Sequence, residues 1–300
     1  MRILLTGASG QIGAAVAARL VAEGHDVIGL SRGLGRRARS ASPALVADLR
    51  EPGLAARVST QQRRCEAIVH AAASLSMSLY EPSVSLTNGL GTQQVLELAT
   101  RWRVRSFVYL SSVPVIGLPD QLPITETHPL DPPTAYHASK VFGERLVNLA
   151  RREGLPALTL RLTSPVGPGT PDGRIAAVFV RRALDGEPLE VFGQGTRAQD
   201  YVDVRDVASA VLGSIIEPEG GLLNIASGSC VTNVRLAQCC LETLGSASQI
   251  NFIDRPDPQE GLRWEVSIAK ARLMIGYEPR HSLTDSINAI AEGIRLRGDA

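Results

Sequence analysis

The stretch Arg2-Ile3-Leu4-Leu5-Thr6-Gly7-Ala8-Ser9-Gly10-Gln11-Ile12-Gly13 decides the fold. A short apolar strand runs into three glycines at GxxGxxG spacing. A helix follows, with Ile12, Val16, Leu20 and Val21 as its apolar face, and it ends near Gly24. A second apolar strand, Val27-Ile28-Gly29-Leu30, comes next. Strand, glycine turn, helix and strand within about thirty residues form the βαβ setting that a dinucleotide fingerprint requires. Glycine is needed where the backbone turns tightly and where a pyrophosphate meets N–H groups at a helix N-terminus. The spacing departs from GxGxxG, so the two flanking strands carry the reading, not the glycines alone.

The end of the second strand selects the dinucleotide. An acid there bonds the adenine-ribose 2′-hydroxyl of NAD. This chain has Ser31-Arg32 instead, followed by Arg36, Arg37 and Arg39. A guanidinium holds a 2′-phosphate bidentately. The expected cofactor is therefore NADP(H), bound through Ser31, Arg32 and Arg36, with NAD as the alternative.

The βα rhythm continues outward. Ala44–Ala47 and Ala67–Val69 read as strands, the latter ending at His70-Ala71-Ala72-Ala73. A long helix from Val84 to Ala99 carries Asn88; Ser106–Leu110 and Ala157–Leu162 are further strands. Strands alternating with helices give an α/β fold, a doubly wound parallel sheet of Rossmann type. The Pro/Gly-rich run from Pro165 to Gly173 leaves the sheet. The expected organisation is a cofactor domain over residues 1–165, with returns near 189–225, and a smaller α/β substrate lobe over 166–300.

Tyr136-His137-Ala138-Ser139-Lys140 supplies the chemistry. Tyrosine and lysine four apart share one side of a helix. An ammonium beside a phenol lowers its pKa and makes it a proton donor and acceptor for carbonyl–alcohol interconversion. The chain has 31 Lys+Arg but only two lysines, Lys140 and Lys270, so a lysine at this place stands out.

A net charge of +1 gives no electrostatic case for nucleic acid or a membrane surface. The first apolar run is too short for a signal peptide, so the reading is a cytoplasmic protein. Cys65, Cys230, Cys239 and Cys240 lack CxxC spacing and read as buried thiols. No metal is expected, because His128, His137 and His281 have no partners at ligand spacing. His70 reads as a structural hydrogen-bonding residue.

Taken together, the motifs resemble the extended short-chain dehydrogenase/reductases, specifically the NAD-dependent epimerase/dehydratase family. TGASGQIG at Thr6–Gly13, AD at Ala47-Asp48, HAAA at His70–Ala73, Ser111-Ser112, YHASK at Tyr136–Lys140, RLTSPVGPG at Arg161–Gly169, DYVDVRDVA at Asp200–Ala208 and LLNIASG at Leu222–Gly228 follow the family's order. The resemblance implies that Gly7, Gly10, Gln11, Ile12 and Gly13 frame the pyrophosphate. Asp48 and Leu49 would flank the adenine, and Ala71, Ala72 and Ala73 would line the cofactor channel. Tyr136 would be the general acid/base, and Lys140 would hold the nicotinamide ribose. Ser112, five residues before Gly117, would align the substrate oxygen. The resemblance also implies a homodimer through the helices containing Asn88 and Lys140.

Departures from the family narrow the reaction. The Asp-Glu pair of its 4,6-dehydratases is Val113-Pro114 here, which supplies neither acid nor base for elimination. The asparagine after the sixth strand is Ser164, and the arginine preceding Asp-Tyr-Val is Gln199. Candidate contacts for a small-molecule substrate are Ser164, Arg174, Arg197 and Arg263, since arginines suit diphosphate or carboxylate groups. The leading expectation is hydride transfer at a carbinol or keto carbon of a nucleotide-activated sugar, by ketoreduction or 4-epimerisation. The alternatives are an NADPH-dependent reductase of a non-sugar ketone and a non-catalytic dinucleotide sensor.

Overall fold

The computed structural model describes residues 1–32, 44–219 and 221–298. The N-terminal half comprises β1 (Arg2–Thr6), α1 (Gln11–Ala22), β2 (Asp26–Ser31), β3 (Ala44–Val46), α2 (Leu54–Gln61), β4 (Ala67–His70), α3 (Pro82–Val84), α4 (Gly91–Trp102), β5 (Ser106–Ser112), α5 (Ala135–Arg152) and β6 (Ala157–Leu162). Then come β7 (Ser164–Val166), α6 (Ile175–Asp185), β8 (Leu189–Phe192), β9 (Ala198–Asp203), α7 (Val204–Ile216), β10 (Leu222–Ile225), β11 (Cys230–Thr232), α8 (Asn233–Leu244), β12 (Ile250–Ile253), α9 (Ala269–Ile275) and α10 (Leu283–Gly298).

Seven strands form the main sheet in the order β10-β6-β5-β4-β1-β2-β3, and every pairing in it is parallel. The central strands are buried along their length, because helices cover both faces. On one face Val16, Ala17 and Leu20 of α1 pack with Val207, Ala210 and Val211 of α7. On the other, Leu54 and Val58 of α2 join Val95, Leu98 and Trp102 of α4 and Val147 of α5. The strand order reverses between β1 and β4, the switch point where open α/β sheets bind ligands beyond the strands' carboxyl ends.

The C-terminal lobe has its own core of Phe179 and Val180 from α6, Leu189 and Val191 from β8, Leu236 from α8 and Ile287 from α10. α7 packs against α1 on the main sheet, and β10 is that sheet's edge strand. β8 pairs with β12 and β9 with β7 and β11, in two small sheets, so these strands stay outside the main sheet. The helix expected over Val84–Ala99 is interrupted by a π-helical turn, Ser85–Leu90. Cys65 and Cys240 are buried, but Cys230, at the start of β11, and Cys239, in the middle of α8, are only half-buried. Among the described residues no helix is long and apolar enough to cross a membrane.

Candidate active site

One cleft of about 1400 Å³ opens over the carboxyl ends of β1, β4 and β5 and runs to the C-terminal lobe. Ligand pockets commonly span about 300–1,000 Å³, so this cleft has room for two ligands.

Its floor is the glycine turn. Gly7 has φ +72°, and a Cβ there would come within 2.7 Å of the Ala72 nitrogen. A Cβ at Gly13 would overlap the Gly7 carbonyl oxygen. Gly10 caps α1 without a side-chain hydrogen bond, so the first N–H groups of the helix face the cleft unpartnered by a cap. Gly7, Gly10, Gln11, Ile12 and Gly13 all line it, and Gln11 Nε2 donates to Thr170 Oγ1 at 3.0 Å, tying the turn to the crossing loop. A backbone cradle that hydrogen alone fits, at a helix N-terminus, suits a dinucleotide pyrophosphate.

Around that floor lie Ser31 and Arg32 at the end of β2, Asp48 and Leu49 after β3, and Ala71, Ala72 and Ala73 after β4. Arg32 is exposed. Arg50 grips Asp48 through Nη2 and Nε at 2.6 and 3.0 Å, and this bond holds the carboxyl below its usual range. Arg36 lies outside the described residues.

The candidate reactive groups sit on β5 and α5. Thr134 caps α5 by accepting from the His137 N–H, and Gly143 lets the helix lie against Tyr109. Ser111 and Ser112 point opposite ways, as successive strand residues must. Ser111 Oγ donates to Glu144 Oε1 at 2.6 Å, in a buried cluster where Arg161 grips Glu144 at 2.7 and 2.9 Å. Ser112 lines the cleft with Tyr136 and Lys140. Ser111 also borders the cleft, but its hydroxyl is taken up by Glu144.

The expectation that Lys140 lowers the Tyr136 pKa is corrected. The Lys140 amine lies 5.8 Å from the Tyr136 ring centroid and donates to the Leu110 carbonyl at 2.8 Å. Burial pushes the phenol up to about 12, opposed by the charge of Arg174 and not by that of Lys140. Burial likewise drives Lys140 down to about 8, partly offset by Glu144.

A polar chain joins the glycine turn to the tyrosine helix. Thr6 Oγ1 meets His70 Nδ1 at 2.7 Å, and His70 Nε2 meets Thr92 Oγ1 at 3.0 Å. Thr92 donates to the Asn88 carbonyl at 2.7 Å. Asn88, in the π-helical turn, donates to Ser139 Oγ at 2.9 Å and exchanges bonds with Ser74. It thereby fixes the segment after Ala73 relative to α5. Single π turns of this kind mark functional sites.

The model of the "NAD dependent epimerase/dehydratase family" matches residues 3–226. The chain belongs to that family. Among curated relatives, the UDP-glucose 4-epimerase of Mycolicibacterium smegmatis is 30% identical over 98% of this chain and 99% of its own. Among solved structures, the UDP-glucose 4-epimerase of Thermotoga maritima with UDP-glucose has a TM-score of 0.88 at 26% identity, covering 99% of both chains. That of Stenotrophomonas maltophila, with NAD and formylated UDP-arabinopyranose, also gives 0.88 at 26%, covering 100% of this chain and 99% of its own.

At the end of the cleft beyond the epimerase/dehydratase family's YxxxK helix, Ser164, Arg174 and Arg197 contribute to the walls. Ser164 Oγ donates to Gln199 Oε1 at 3.5 Å, so the two departures from the family pattern are partners. Arg197 pairs with Asp257 at 3.3 Å. Arg263 is a correction. It is exposed and is not among the cleft residues, because the bridge to Ala198 turns the neighbouring Trp264 inward. Trp264, Thr170 and Arg297 line the cleft without having been singled out in the sequence. They come from separate loops and from the last helix, and no local spacing joins them. Tyr201, also in the wall, lay within the quoted DYVDV motif.

Proposed function

We propose that the protein epimerises a nucleotide-activated sugar at a ring carbinol, C4 in the relatives' substrates, while retaining a nicotinamide dinucleotide. The observation that carries this reading is the convergence of Ser112, Tyr136 and Lys140 on one cleft with the glycine cradle. The 4-epimerases named above support the sugar class.

Gly7, Gly10–Gly13, Asp48, Leu49 and Ala71–Ala73 would hold the dinucleotide, with Lys140 at its nicotinamide end. When bound, the dinucleotide supplies the hydride acceptor and donor for the carbinol carbon. Tyr136 moves the proton at the carbinol oxygen, and Ser112 Oγ donates to that oxygen as carbonyl character develops. Burial of Lys140 and Tyr136 strengthens these interactions by excluding water. Val113 and Pro114, which follow Ser112, offer no group for eliminating water from the sugar.

The test is direct. The purified protein should interconvert UDP-glucose and UDP-galactose, or their uronates, by NMR of the anomeric protons, with no dinucleotide consumed. Tyr136→Phe should lose about 10²–10⁴-fold in turnover while still binding dinucleotide. Wild-type rates in that variant would remove the mechanism.

The second reading, an NADPH-dependent reductase, is favoured by Arg32 and by the absence of an acid ending β2. The solved relative with bound NAD supports NAD instead. Mass spectrometry of dinucleotide released on denaturation separates the two. Retained NAD supports the epimerase, and an empty protein preferring NADPH supports the reductase. We also infer a homodimer through α4 and α5, supported by the exposed Leu86, Phe142 and Leu149 on and beside those helices.

A further inference from the structure

The side of α5 that carries Tyr136 and Lys140 continues one turn further to Glu144. Lys140 and Glu144 are both buried. Their end groups meet β5 at one peptide link, Leu110–Ser111. The Lys140 amine donates to the Leu110 carbonyl at 2.8 Å and lies 4.9 Å from the centre of the Tyr109 ring. Glu144 Oε1 accepts from the Ser111 hydroxyl at 2.6 Å. From the other side Arg161 of β6 grips the carboxylate, Nη2 on Oε2 at 2.7 Å and Nε on Oε1 at 2.9 Å.

Seating a helix on a sheet does not call for this arrangement. Taking two charges out of water is costly, and well-packed apolar side chains of similar volume commonly hold such elements at least as firmly. The carboxylate has a further use one turn back. Burial draws an amine toward its neutral form, and it holds Lys140 at about 8, below the ordinary 10.5; Glu144 is the charge that opposes it. The other titratable groups around the amine are the Tyr109 and Tyr136 phenols and the His70 imidazole, which burial keeps neutral. Arg161 stands behind the carboxylate. An ammonium has three hydrogens, and Leu110 takes one, which leaves two for the cleft that Lys140 lines. A neutral amine has one fewer and no charge to offer a ligand.

We propose that Glu144 is a positioning residue that acts through Lys140, keeping its side chain an ammonium turned to the cleft. This rests on the reading of Lys140 as the group at the nicotinamide end and deepens it.

The experiment uses the full chain, with lysine labelled with carbon-13 at Cε. Lys140 and Lys270 are the only two lysines, so NMR follows Lys140 directly, with Lys270, outside the cleft, as internal reference. In the cofactor-free wild type the Lys140 signal should titrate near pH 8. Glu144→Gln should move that midpoint acidwards by about one pH unit or more, the scale of losing an adjacent opposite charge. Glu144→Asp, which keeps the charge, should stay nearer the wild type. If Glu144→Gln fails to fold because Arg161 is left unpaired, Glu144→Gln with Arg161→Met removes both charges and should still move the midpoint acidwards. An unmoved midpoint in the folded variant overturns the proposal. NAD titration supplies the second readout. Glu144→Gln should match the wild type below both midpoints and lose up to about tenfold in affinity above both, as linkage requires for a midpoint moved by one pH unit. A loss of equal size at every pH overturns the proposal and leaves Glu144 a structural residue. Neither readout needs turnover. A moved midpoint in a protein that epimerises no UDP-sugar keeps this proposal and removes the epimerase reading, and epimerisation with an unmoved midpoint does the reverse.

Discussion

His70 shows how one side chain is fixed by its neighbours' hydrogens. Thr92 spends its hydroxyl hydrogen on the Asn88 carbonyl, so His70 Nε2 must be the donor to Thr92. Thr6 Oγ1 accepts from the Ala72 N–H, and its own hydrogen goes to Nδ1. A second ring proton would set two donors against Thr6. Burial first, and the charge of Lys140 second, hold the ring neutral down to about pH 3. The folded ring therefore binds its proton far below the ordinary imidazole value of 6.5. Stability from this residue is complete above pH 6.5 and falls as pH drops toward 3, because only the unfolded ring is charged there; the loss is on the order of several kcal/mol. In an NMR titration of the folded protein, the His70 ring signals should not move between pH 8 and 5. An inflection near 6.5 would contradict the assignment. Urea midpoints should fall together with pH below 6.5.

At the scale of elements, α5 is seated by an absence. A Cβ at Gly143 would overlap the Tyr109 hydroxyl, and the Tyr109 ring is fully buried and cannot swing away. Gly143→Ala must lift α5 from β5, with a loss of about 1–3 kcal/mol by urea denaturation. Because Tyr136 and Lys140 ride on the same helix, turnover should fall with it. An unchanged urea midpoint would show that the helix is not held there. Gly143 falls in a plain helical run, and nothing local in the sequence marks it. The same limit explains what sequence reading found and missed. β1, α1 and β2 were legible because their periodicity and glycine spacing are contained in thirty neighbouring residues. The YxxxK pair was legible because a helix turn sets its spacing. α2 is only two turns long, β7 and β11 have three residues each, and β9 pairs only with those two strands about thirty residues away, so their patterns were too weak to read. Asn88 was placed on its helix, but its work is to join residues 14 and 51 positions away, through a π turn. Arg263 and Trp264 were separable only by a bridge to Ala198 that no alternating pattern announces. The pKa of Tyr136 was misread because spacing brings the lysine near the ring but does not say that its amine turns to Leu110.

Across the whole molecule, the remaining question is what covers the outer faces of α4 and α5. Leu86, Phe142 and Leu149 are 41%, 50% and 53% exposed, and Phe142 lies against Gly89 of the π turn. Phe142 and Leu149 lie two turns apart on α5, and Leu86 lies in the π turn that precedes α4. A two-fold axis through such a surface buries each side chain twice, once from each copy. Full burial of one large apolar side chain contributes about 1.5–3 kcal/mol, so in such a dimer these residues with their symmetry mates would supply a substantial part of the association energy. Light scattering should then give twice the 31.9 kDa chain mass. Phe142→Asp should return the protein to the single-chain mass, because a carboxylate at the centre of the patch would face its own copy across the axis. A wild-type protein already at 31.9 kDa would rule out the dimer. Phe142 is two residues from Lys140 on the same helix, so the dimer would also brace the helix that carries the proposed catalytic pair. A monomeric Phe142→Asp variant that keeps its fold should lose turnover on dilution no further than when concentrated, whereas the wild type should lose it only below its dissociation constant. That contrast would tie assembly to the site through α5.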